Sequence, residues 1–125
     1  MQIVGYIIDA FWHGLLRPGV EPTTLSDMAR HLKTVHLVLY VGAAGVLVTT
    51  AVALLRQIRR SAATLALGIA FGGAMLSTAA EAWHAYSHLT LDTSHAPIAG
   101  LLSGVGFVVV VAAMALSGWR RRRGL

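Results

Sequence analysis

Glu81, His84 and His88 stand at i, i+3 and i+7, offsets that place one carboxylate and two imidazoles on the same face of a helix. Carboxylate-x-x-His is a spacing used by helical carboxylate metal proteins, and histidines four apart can reach one ion. Asp9 and His13 repeat the theme at i, i+4, as do Asp27 and His31, while His36 and His95 each open an apolar run. Imidazole is a common ligand for copper, zinc and iron, and carboxylates complete such shells. The candidate metal ligands are therefore Glu81, His84, His88, His95, His36, His13 and Asp9. Asp27 and His31 fall in a polar segment, where the expectation is a solvated surface. Asp92 is expected to cap the helix that follows it, ahead of Pro97.

Other chemistries find little support. There is no cysteine, so thiolate ligands and disulfides are excluded. The chain has no phosphate-binding loop, no Ser-His-Asp arrangement and no nucleotide fingerprint. The residues point to a transition-metal site and do not separate catalysis from metal delivery.

The elements that would position these groups are apolar helices. The 125 residues are 56% hydrophobic and 12% charged, half the charge of a typical soluble domain, where about 25% of residues are charged. Residues 34–55, 61–80 and 95–117 carry no acid, lysine or arginine. At 1.5 Å per residue each reaches about 30 Å or more, the thickness of a bilayer's hydrocarbon core. Residues 3–16 are apolar but reach only about 21 Å, and Pro18-Gly19 stops them. The expected fold is an all-α integral membrane protein of one domain: a short N-terminal interfacial or re-entrant helix at 3–16, transmembrane helices at 34–55, 61–88 (with an outer extension) and 95–117, and a basic tail at 118–125. The first segment lacks a basic leader and is broken by Asp9, so it is not expected to be a cleaved signal peptide.

Seven of the ten basic residues sit in two clusters, Arg56, Arg59, Arg60 and Arg120 to Arg123, each beside an apolar run. Three crossings put both clusters on one side, and the positive-inside rule makes that side cytoplasmic. Such clusters mark topology, and nucleic acid is not an expected partner. Every acid and every histidine then falls on or near the extracytoplasmic side of the cell membrane. A plainer account also fits part of this pattern, since Trp12, Tyr40, Trp83 and Tyr86 match an interfacial aromatic belt in which histidines would only anchor.

Two short patterns resemble known metal sites. Asp9, His13 and His36 resemble the Asp-His-His copper site in the membrane subunits of copper membrane monooxygenases, although the gap from His13 to His36 is longer here. His84 and His88 resemble the His-x-x-x-His of the seven-helix zinc hydrolases of the ceramidase type, which have about twice as many helices. These resemblances imply copper or zinc and extend to no other part of the chain. Two other readings remain open: a haem b or quinone electron-transfer subunit with paired histidines as axial ligands, and a structural or assembly subunit without chemistry. The pairs Gly68/Gly72 and Gly100/Gly104 match the small-xxx-small pattern of close helix contacts. They are expected first to pack helices within the chain, and otherwise to dock on another subunit. A three-helix scaffold is thin, so a homo-oligomer or a larger membrane complex is expected. A channel is not, because the spanning runs hold no charge along an ion path.

Overall fold

The computed structural model describes residues 1–18, 20, 22–59, 65–92, 94 and 96–123. The described residues are helical, with no strand. Helix α1 (Gln2–Phe11) runs into a single π turn (Trp12–Leu16). Helix α2 (Leu25–His31) continues through a second π turn (Leu32–His36) into α3 (Leu37–Arg59). Helices α4 (Leu65–Leu89) and α5 (Ala96–Arg122) complete the bundle. Three stretches are long and apolar enough to cross a membrane: Leu25–Arg59, Leu65–Leu89 and Pro97–Arg120.

The first of these starts earlier than residue 34, and the cause is local. Thr24 is extended and its Oγ1 accepts from the Asp27 backbone N–H at 3.2 Å, an N-cap that starts the helix at Leu25. Helix α4 ends equally sharply. Leu91 has φ of 57°, and the Leu91 and Asp92 N–H groups donate back to His88 and Ser87 carbonyls at 3.0 Å. That is a Schellman cap built on a leucine where glycine is usual. Asp92 accepts from the Ser94 backbone N–H at 3.2 Å, so it organises the turn ahead of α5.

Helix α4 is the organising element. Its buried positions Leu67, Ala70, Ala74, Ser77, Glu81, His84 and His88 advance by alternating steps of three and four. This is the seam of a left-handed bundle. The seam is apolar and small over its first half and becomes polar and titratable toward its end.

Close approach of α4 to α5 rests on Gly73 and Gly106. A Cβ on Gly73 would lie 2.7 Å from the Gly106 carbonyl oxygen, and one on Gly106 would lie 2.6 Å from that of Gly73. The expectation that Gly68/Gly72 and Gly100/Gly104 pack helices within the chain is overturned. None of the four has any described atom within 4 Å of the place a Cβ would occupy. They stand on outward faces, offset from the buried seam.

Helix α1 does not lie across the end of the bundle. It packs antiparallel along α3, where a Cβ on Gly5 would strike the Leu39 backbone and one on Gly42 the Gln2 backbone. Gln2 Nε2 donates to Ser77 Oγ at 2.6 Å, Tyr6 OH and Ser103 Oγ are 2.6 Å apart, and Ser77 and Ser103 are joined at 3.1 Å. The chain's first turn therefore reaches the middle of α4. Such bonds average about 0.6 kcal/mol inside membrane proteins. They set the depth of α1, while its glycine contacts set how closely it packs.

Replacing Gly73 or Gly106 by alanine should force α4 and α5 apart at a cost of about 1–3 kcal/mol. Gly72→Ala and Gly104→Ala should stay close to the parent, and thermal unfolding in detergent micelles measures the contrast.

Candidate metal centre

The end of α1, the start of α3 and the end of α4 meet at the end of the bundle opposite Arg59. The histidines come from the two π turns that adjoin α1 and α3, from the last residue of α2 and from α4, and the π turns decide which way theirs face. In an α-helix residues five apart diverge by about 140°. A π turn closes over one more residue and returns such a pair to the same side. His31 and His36 flank the second π turn in this way, and their Nε2 atoms are 3.1 Å apart. The first π turn carries His13 to the same place, its ring 5.2 Å from that of His31 and 5.6 Å from that of His36. From α4, His84 and His88 follow the seam inward, with Nε2 atoms 2.7 Å apart. Their rings lie 5.0 and 5.1 Å from His36.

His36 is the centre of this group and is wholly buried. Its Nδ1 lies 2.9 Å from Asp9 Oδ1, and the same oxygen is 3.7 Å from His13 Nε2. Burial alone would push the Asp9 carboxyl upward. The close His36 contact and the fields of His36, His13 and His84 outweigh it and hold the group below the ordinary carboxylate range. Tyr40 stacks on the His36 ring at 5.8 Å and Trp12 leans on His31 at 5.8 Å, so aromatic walls limit the rotation of both imidazoles.

The ligand atoms form two groups within 4.8 Å: His13, His31 and His36, and His36, His84 and His88. Imidazoles on a tetrahedral ion at 2.0–2.1 Å have nitrogens roughly 3.3–3.4 Å apart. Rotamer shifts on the order of 1 Å would therefore close either triad around an ion. Histidine-only triads of this kind suit zinc, copper and iron.

Of the residues predicted from the sequence, His13, His36, His84 and His88 are brought together, with Asp9 against His36. Glu81 is buried on the same seam, but it faces Ser103 and belongs to neither triad. His95 lies outside the described residues. His31 corrects the sequence reading, because it is only 5% exposed and stands inside the cluster instead of on a solvated loop. The signal for it was Thr24-x-x-Asp27, a helix-start pattern that extends the first long helix back to Leu25 and places His31 on it. Asp27 is exposed as expected, 3.9 Å from Arg30.

No family model, curated protein or solved structure matches the chain. The geometry defines it as a small helical protein with histidine groups able to hold a metal ion and three helices apolar enough to span a bilayer.

Asp9 gives the site its first test. Asp9→Leu removes the carboxylate that lies 2.9 Å from the buried His36 Nδ1 and should cost about 1–3 kcal/mol. Asp9→Asn keeps an oxygen in place and should cost clearly less, read by thermal unfolding of the solubilised protein.

Proposed function

We propose that this chain is a multi-pass membrane protein that binds one transition-metal ion, copper, zinc or iron, at the extracytoplasmic end of its bundle. Its role is metal handling or service as a subunit of a metalloenzyme complex. The observation that carries the reading is the convergence of five imidazoles from the two π turns, α2 and α4 at one end of the bundle. Four of the five are buried.

An interfacial anchor needs its polar tip in water or headgroups. Here the Nε2 atoms of His31 and His36 and those of His84 and His88 meet one another inside the bundle. Burying an imidazole without compensation is unfavourable, and neutral rings packed nitrogen to nitrogen satisfy only part of their capacity. A bound cation uses the lone pairs that the cluster turns inward. Asp9 supports the assignment as well, since metal-bound histidines commonly give their second N–H to a carboxylate. The orientation is supported by Arg56, Arg59 and the arginine run from Arg120, which terminate helices at the far end.

Purified in detergent and loaded with Cu²⁺, Zn²⁺ or Fe²⁺ in turn, the full chain should retain one of these ions through gel filtration, as measured by mass spectrometry. His36→Ala should abolish retention, and His84→Ala should weaken it by at least about tenfold. A parent that retains none of the three, or a His36→Ala protein that retains as much as the parent, would falsify the proposal. A Soret band in the purified protein would replace it with a haem site.

A further inference from the structure

We infer that the two histidine triads are successive stations for a single ion, an outer one that captures it and an inner one that holds it, with the His36 imidazole common to both. This rests on the metal-binding reading above.

His36 belongs to both triads. A neutral imidazole has a single lone pair, and the Asp9 carboxylate 2.9 Å from Nδ1 favours the proton there and the lone pair on Nε2. One lone pair serves one ion, so the two triads cannot be filled together.

The stations differ in access. The His13 side chain is 28% exposed, and His31 lines an outer cavity of about 440 Å³ shared with Trp12, Arg17, Asp27 and Arg30. At the other station His36, His84 and His88 are 0, 8 and 1% exposed. The cavity offers Arg17 and Arg30 against Asp27, so its field does not draw in a dication, and capture falls to the imidazoles of His13 and His31. The His31 and His88 rings are 5.8 Å apart and lie 4.8 and 5.1 Å from His36, so the two stations adjoin. An ion moves inward by exchanging two outer imidazoles for two inner ones while keeping His36 throughout. Neutral ligands replace neutral ligands, so no proton or electron has to accompany the step.

The test is rapid mixing of Cu²⁺ with the full chain in detergent micelles, followed by absorbance, with equilibrium titration on the same samples. The parent should take up one ion per chain. His31→Ala and the bulkier His31→Gln should slow loading about tenfold or more while leaving the dissociation constant within about threefold. His88→Ala should instead raise the dissociation constant about tenfold or more, with loading little changed. Circular dichroism at parent helicity accompanies each variant, and His13→Ala serves as a second outer substitution if His31 variants lose helix. Two ions bound per chain would overturn the shared-station inference and leave metal binding standing. So would outer and inner variants that change rate and affinity alike. A parent that binds no Cu²⁺, Zn²⁺ or Fe²⁺ overturns both.

Discussion

The contact between Asp9 and His36 is the constraint around which the end of the bundle is arranged. It ties the last turns of α1 to the start of α3 and fixes one imidazole by its Nδ1. Every other histidine of the cluster is placed relative to that ring. His31 meets its Nε2, His13 stacks on its face, and His84 and His88 approach from α4. In a low-dielectric interior such a carboxylate–imidazole contact is stronger than in water and more costly to leave incomplete. That asymmetry explains why α1, too short to span a bilayer, can still be held in the bundle. One end is fixed by Asp9 and the other by Gln2 on Ser77.

Helix α4 shows how one seam serves two purposes. Steps of three and four place Ala70 and Ala74 inward, beside Gly73, at one level, and Glu81, His84 and His88 at another. Small residues let α5 approach until glycine backbones touch. In a bilayer, packing of that kind would replace the hydrophobic drive that lipid does not supply. With the bundle held together there, the polar half of the seam can carry buried titratable groups. Between the halves, Ser77 and Ser103 link the packing region to the titratable one.

Much of this was legible in the sequence because it depends on periodicity. Three uncharged runs announced three long helices, and the offsets of Glu81, His84 and His88 placed them on one buried face. The failures share a physical cause, which is that spacing shows which residues align along a helix without showing which face turns inward. Gly68/Gly72 and Gly100/Gly104 have an ideal spacing on outward faces, whereas Gly73, with only Ser77 four residues on, and Gly106, with no small residue at that spacing, make the contact. His31 was misplaced for a second reason. Its segment is polar enough to pass for a loop, and only the Thr24 cap joins it to the long helix.

The π turns explain why a helical wheel could not have assembled the whole site. With regular α geometry from Leu25 to Arg59, turning His36 toward α4 would swing His31 away by about 140°. A single wide turn at Leu32–His36 removes that divergence, and the one at Trp12–Leu16 comes just after Asp9, where His13 must reach the same point. Wide turns of this kind sacrifice regular hydrogen bonding and concentrate at functional sites. Both occur at the one level where histidines converge, on elements that are otherwise α-helical among the described residues. A purely structural bundle would gain nothing from this departure. A cluster that must aim several nitrogens at a common point gains a register that α-helices alone cannot provide.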